Sequence, residues 1–199
     1  VIPISVNVNN LVEGPAVCYA APFGTTEPPS SAITPAGASY VPPPPWTDVG
    51  GTDGGINFTS DATYNALVVD QITMDVGARL AEQKFGVAAK LAEMSLVNLG
   101  FAMNSNVVST PGAGYTVTDF LVGNAATQPN YVALMIGGWG PELATGGAAA
   151  RWIIIRKVLS AAKITATYDR KTQQAYDLTW TAYFVSQSIA PVRWVDQTQ

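Results

Sequence analysis

The sequence predicts a mainly β, sandwich- or barrel-like domain with one flanking helix and an extended proline-rich arm at its N-terminal end. Three observations carry that expectation. Apolar and polar residues alternate with period two from Ile56 onward, a single segment near 93–104 shows helical spacing, and prolines crowd the chain before residue 50.

The chain has 199 residues, enough for one domain with a substantial core and some extra length. It divides into an N-terminal strand and arm over residues 1–50 and a β body over residues 51–199. After a short apolar run at 16–21, prolines recur at Pro22, Pro28, Pro29 and Pro35, and Pro42, Pro43, Pro44 and Pro45 run directly into Trp46. Consecutive prolines favour the extended polyproline conformation and cannot donate to a central ladder. The apolar Ile33, Tyr40 and Val41 argue against a fully solvated linker. The expectation is an arm lying on a neighbouring subunit, with Pro42, Pro43, Pro44, Pro45 and Trp46 as its contact. Gly50, Gly51, Gly54 and Gly55 around Asp53 predict tight turns. A phosphate-cradling loop would need a Lys-Ser/Thr pair and a helix start, and neither follows.

In the body, Ile56 and Phe58 alternate with Asn57 and Thr59, and residues 66–70 read as a short apolar strand. Phe85, Val87, Ala89 and Leu91 alternate with Gly86, Ala88, Lys90 and Ala92. Near the C-terminus Ile164, Ala166 and Tyr168 alternate with polar residues, and a turn at 169–172 leads into a long strand over 174–185. There Tyr176, Leu178, Trp180 and Phe184 share one face, with Asp177, Thr179, Thr181 and Tyr183 on the other, which predicts a long hairpin. Residues 131–136 and 152–158 are apolar on both faces, as expected of strands covered on both sides. Residues 112–114 and 137–147 read as glycine-rich loops.

The helix predicted over about 93–104 places Leu96, Leu99, Gly100 and Met103 at core or interface spacing. Val97 and Phe101 form a second stripe, and Ser95 and Asn98 a narrow polar strip. Gly100 costs about 1 kcal/mol against alanine in a free helix, which close packing would explain.

Charged residues make up 12% of the chain, about half the usual share, and the net charge is −4. A surface so poor in charge suits one that neighbours cover. Every charged residue before Arg79 is acidic, and basic residues begin there. Opposite ends of this kind either steer copies together head to tail or lie apart on a solvated surface. The acidic balance and the lack of any basic run argue against tight nucleic-acid binding.

Histidine is absent, and Cys18 is the single cysteine, so it reads as a small buried hydrophobe. The common general base, the ordinary triads and a thiolate metal cluster are thereby removed. GxSxG and calcium-loop patterns are missing too. No catalytic, cofactor or metal residue is predicted, and an enzyme is the least supported class. No apolar stretch reaches spanning length, and residues 1–10 lack a basic secretory start. No membrane anchor is expected, and a soluble product of a cytoplasm is the simplest outcome.

An ordered set of segments resembles a known family. Ala21-Pro22-Phe23-Gly24-Thr25 followed by prolines, Trp46-Thr47-Asp48-Val49-Gly50, and Thr52-Asp53-Gly54-Gly55-Ile56-Asn57-Phe58 are similar to the opening of major tail tube proteins of long, non-contractile bacteriophage tails. Val68-Val69-Asp70-Gln71, Leu91-Ala92-Glu93 and the helix ending at Asn104 continue the likeness through about the first half of the chain. The resemblance implies a tail-tube β-sandwich whose copies form hexameric rings stacked into a tube. It also implies a virion tail built in the host cytoplasm, a tape-measure protein enclosed before double-stranded DNA passes, and other tail proteins at the tube ends. An acidic wall would let the duplex slide. Candidate lumen-facing residues are Asp70 and Asp75, or the face bearing Asp177, Thr179 and Thr181. The rival expectations are a tail terminator, a capsid decoration protein, or a carbohydrate-binding sandwich using Trp139, Trp152, Trp180 or Trp194.

Overall fold

A computed structural model describes residues 11–33, 40–105, 108–111, 116–119, 129–143, 147–161, 163–164 and 174–197. The chain is mainly β. Its strands are β1 (Val17–Pro22), β2 (Thr47–Asp48), β3 (Thr52–Val69), β4 (Ile72–Leu91), β5 (Val108–Pro111), β6 (Thr116–Asp119), β7 (Val132–Glu142), β8 (Ala148–Ser160), β9 (Tyr176–Ala182) and β10 (Val192–Asp196). One α-helix, α1 (Leu96–Ala102), lies among the described residues.

Eight strands form one antiparallel sheet in the order β2-β1-β7-β8-β9-β4-β3, with β10 also on β8. β8 is the pivot. Residues 151–155 pair with β10, and residues 158–160 pair with β9 on the way to β4 and β3. The sheet therefore curls, and its two wings share a core. Cys18, Leu134, Ile136 and Ile155 from one wing pack with Val87, Leu91, Leu178 and Trp180 from the other. The alternation read from the sequence chose these faces correctly: Val87, Ala89, Leu91, Tyr176, Leu178 and Trp180 are all buried.

The doubly apolar strands β7 and β8 are covered on both sides. A second core forms on the far face, from Tyr19, Ala21, Ala133, Met135, Trp152, Ile154 and Val195. What covers it is the chain's own proline-rich segment. Trp46 is buried in this cluster, Tyr40 stacks on Trp152 with centroids 4.9 Å apart, and Pro42 is fully buried. The Trp46 indole N–H donates to the Thr26 carbonyl at 3.1 Å. Trp46 and Pro42 are thus engaged within one subunit, where the sequence reading had them on a neighbour; Pro43, Pro44 and Pro45 remain at the surface.

Several local expectations are corrected. The helix is seven residues long, from Leu96, because Ser95 caps it: its Oγ accepts from the Asn98 backbone N–H at 3.1 Å. Glu93 lies outside and its carboxylate accepts from the Gly51 N–H at 2.9 Å, tying down the turn before β3. Gly50 in that turn has φ +82°, and a Cβ there would collide with the Glu93 carboxylate. At the far end Asn104, at φ 53°, leaves helical geometry and bonds the backbone of Ser160 in both directions at 2.8 Å.

Asn98, assigned to a polar strip, is buried and donates to the carbonyls of Val49 and Glu93 at 2.8 and 2.9 Å. Leu99 packs on the core and Gly100 is buried, whereas Leu96 and Met103 face outward.

Residues 137–142, read as loop, continue β7, since Gly137, Gly138 and Trp139 pair with Trp152, Arg151 and Ala150. Gly54 and Gly55, both at positive φ, lie inside β3 where its register slips between Thr52 and Ile56. Phe184 is exposed rather than core-facing. β9 ends at Ala182, and after the Tyr183 N–H bonds the Lys157 carbonyl the chain turns away. Residues 112–114 and most of the predicted 163–168 strand lie outside the described residues; β9 finds its partners in β4 and β8.

Candidate assembly surface

The largest feature of the molecule is the hairpin β3–β4. Val69 pairs with Ile72, so Asp70 and Gln71 make a two-residue turn. β4 pairs with β9 only over residues 86–91. From Gly86 to Ile72, at roughly 3.3 Å per residue, the hairpin runs about 45 Å past its last contact with β9. Every residue from 63 to 84 is exposed.

This extension is amphipathic. Tyr64 pairs with Leu80 and Ala66 with Ala78, and by alternation Val68 and Val76 share their side. That face continues on β3 the alternation that sets Ile56 and Phe58 against the core. The opposite face is polar nearer the body, where Thr63 pairs with Glu82 and Asn65 with Arg79, and turns apolar toward the tip, where Leu67 pairs with Gly77 and, past a register shift, Val69 with Ile72. Val68 is 72% exposed and Met74, three residues after the turn, 76%. A lone two-stranded ribbon has marginal stability in water, so an apolar face of this length calls for a cover. Among the described residues β3 pairs only with β4, which leaves its outer edge without a strand partner.

The predicted lumen residues fall into two separate places. Asp177, Thr179 and Thr181 lie on the outer face of β9, with Asp177 and Thr179 exposed and Thr181 half-buried. They stand opposite Lys90, Ala88 and Gly86 of β4, and Lys90 is ion-paired with Asp53. Asp70 is in the hairpin turn and Asp75 on the extension. Along β4, Asp75 is about 35 Å from Gly86 at roughly 3.3 Å per residue, so the two sets lie far apart along the strand.

The acidic and basic portions of the chain meet partly within the fold. Glu27 bonds Arg156 and Arg193, and Asp53 bonds Lys90. Arg151 forks onto Asp196 with both contacts at 2.7 Å, which holds the Asp196 carboxyl below the usual range. Among the described residues Asp70 and Asp75 have no ion pair. The head-to-tail charge reading therefore keeps only part of its material.

The four candidate stacking tryptophans split as well. Trp152 and Trp180 are buried; Trp139 and Trp194 are half-exposed, with Gly14 against the Trp139 ring and Arg151 over the Trp194 ring at 5.6 Å. Cys18 is fully buried, and burial first, then the Asp48 charge, pushes its thiol up to about 12. Among the described residues no group of three or more His, Cys, Asp or Glu is placed to hold a metal ion, and no helix is long and apolar enough to cross a membrane.

No family model matches this chain, and no curated protein matches it.

The hairpin was missed as a unit in the sequence, where 56–59, 66–70 and 85–91 read as separate strands. The signal was available. Asp70-Gln71 sits between Val68-Val69 and Ile72, a two-residue polar break between β-prone runs.

Proposed function

We propose that this chain is a structural subunit of a tube, of the kind that the resemblance to phage major tail proteins implies, and that it performs no catalysis. The observation that carries the reading is the hairpin. A ribbon reaching about 45 Å from the body, apolar on one face and open along one edge, is stabilised when copies of the chain cover it. Contacts between different patches of identical subunits close into rings in one direction and continue as a filament in the other.

In this reading rings, hexameric by the family likeness, stack through the hairpin. The exposed Pro43, Pro44 and Pro45 and the outward Leu96 and Met103 of α1 contribute to subunit contacts. The β9 face with Asp177, Thr179 and Thr181 lines the bore, since short acidic and hydroxyl side chains leave a smooth wall without phosphate-trapping charge. Asp70 and Asp75 then belong to the contact between rings. The partners are further copies of the chain, a tape-measure protein, translocating double-stranded DNA and other tail proteins at the tube ends, all in a virion assembled in a host cytoplasm.

Negative-stain microscopy of the concentrated, purified protein tests this. Long hollow filaments are the expected result. Rings that never extend would favour a tail terminator, and a monodisperse monomer would overturn the reading; if that monomer bound glycans, the exposed Trp139 and Trp194 would become the site to pursue.

A further inference from the structure

One carboxylate, Glu27, holds the start of the proline-rich segment to the body. Both of its oxygens are engaged. Arg156 on β8 donates Nε to one and Nη2 to the other at 3.1 Å, and Arg193 on β10 adds Nη1 at 2.9 Å. The two guanidiniums are otherwise committed to the same neighbourhood. Arg193 Nη2 donates to the Ser30 hydroxyl at 2.6 Å, and Arg156 Nη1 donates to the Ala190 carbonyl. All three charged side chains are mostly shielded from water, with 20–29% of their surface exposed.

The packing around this node is loose. Against residues 23–27 lies an open cavity of ≈ 240 Å³ lined by Phe23, Ala133, Ile154, Arg156, Val185 and Ile189. A second, of ≈ 440 Å³, is lined by Pro28, Pro29, Tyr40 and Trp46 among others. Glu27 lines both cavities. The backbone of residues 23–33 makes two long-range bonds, from the Phe23 N–H to the Tyr131 carbonyl at 3.0 Å and from the Trp46 indole to the Thr26 carbonyl, and is otherwise bonded at short range, Thr25 to Pro22, Ala32 to Pro29 and Ile33 to Ser30. Of its apolar residues Pro28 is buried, while Ala32 and Ile33 are only partly so.

We infer that residues 23–33 form a releasable strap over the second face of the sheet, and that the Glu27 carboxylate is its catch. Charge-assisted forks of this kind are the strong polar contacts in a protein, and here the fork is the strap's charged tie to the middle of the sheet, beside the Phe23–Tyr131 backbone bond at its start and the buried Pro28. Removing the carboxylate charge leaves Arg156 and Arg193 facing each other without a counter-ion, so the like charges push the node apart. The main core is on the opposite face and does not depend on the strap.

Acid should do the same. Burial works to raise the Glu27 pKa, but the hydrogen bonds and charges of the two arginines outweigh it and hold it below the ordinary carboxylate value. The strap is therefore fully held above that ordinary value and is released as pH falls through the lowered one. The charged groups that face Glu27 are Arg156 from β8 and Arg193 from β10. Asp196, also on β10, is taken by Arg151. The inference concerns the free chain and does not rest on the tube reading.

Amide and indole hydrogen exchange followed by NMR on Glu27→Gln tests it at neutral pH. The Ala32 and Ile33 amides and the Trp46 indole N–H, which is bonded to Thr26, should exchange at least tenfold faster than in the wild type. The paired amides of Leu134 and Ile154 in the sheet should keep their rates. Wild-type protein taken below about pH 4, where carboxylates protonate, should lose protection at the same three protons first. Unchanged rates at those protons in Glu27→Gln would overturn the inference. So would acceleration of strap and sheet together, since the node would then be a general support rather than a catch.

Discussion

The body and the hairpin are made of the same kind of strand, with β-branched and aromatic residues alternating against small and polar ones, yet they end in opposite conditions. β7 and β8 are buried on both faces, the first by the shared core and the second by the proline-rich segment. Residues 63–84, of comparable composition, are exposed throughout. The lesson is that alternation fixes which side chains share a face and leaves open what, if anything, meets that face. In the body the chain supplies the cover itself. Along the hairpin the described residues supply none, and the proposed assembly of copies would supply it.

Substitutions can sharpen or break this contrast, ordered by their effect on the free chain. Trp180→Ala empties the centre of the shared core, where Trp180 is fully buried, and should cost about 3–5 kcal/mol in urea unfolding. A loss under about 1 kcal/mol would mean that the two wings do not depend on one core. Asn98→Ala removes the buried amide that joins α1 to the Val49 and Glu93 carbonyls, and should cost about 1–3 kcal/mol in the same assay. It leaves the buried Val49 carbonyl and the part-buried Glu93 carbonyl without their donor, a larger penalty than losing an exposed bond.

Acid should weaken the body and spare the hairpin. Glu27 and Asp196 are both held below their ordinary carboxylate values by arginines. Their stabilisation is complete above the unfolded-state value and drains away as pH falls through the lowered folded ones. The thermal midpoint should therefore decline below about pH 4, and the decline should be smaller in Glu27→Gln combined with Asp196→Asn. An equal decline in that double variant would assign acid sensitivity elsewhere. The smallest effect on folding belongs to Leu80→Asp on the apolar face of the hairpin, within about 0.5 kcal/mol because the site is already wet. The same change should abolish filaments under the microscope. Normal filaments from Leu80→Asp would remove the hairpin from the contact between copies.

Much of the body was legible. The inward faces of β4 and β9, the double burial of β7 and β8, and the burial of Cys18 follow from residue pattern alone. The lengths of elements were less legible. Ser95 shortened the helix by capping it, and Asn98 turned from a surface residue into a buried one because the Val49 carbonyl, distant in sequence, needed a donor. Phe184 fell off its predicted face when β9 ended at Ala182, three residues sooner. Of the candidate surface, the turn at Asp70-Gln71 was visible but its consequence, a continuous hairpin, was not.

The sequence by itself determined the β class, the inward faces, the lack of histidine chemistry and the stiffness of the proline-rich segment, because these depend on residue type and local period. Tertiary structure decided where that segment lies, which acidic groups the late arginines neutralise, and how far β3 and β4 run beyond the sheet. The physical reason is that the hydrophobic effect is not directional. An apolar stripe states that it must be covered, and only the folded path of the chain determines whether the cover is its own Trp46 or must come from outside.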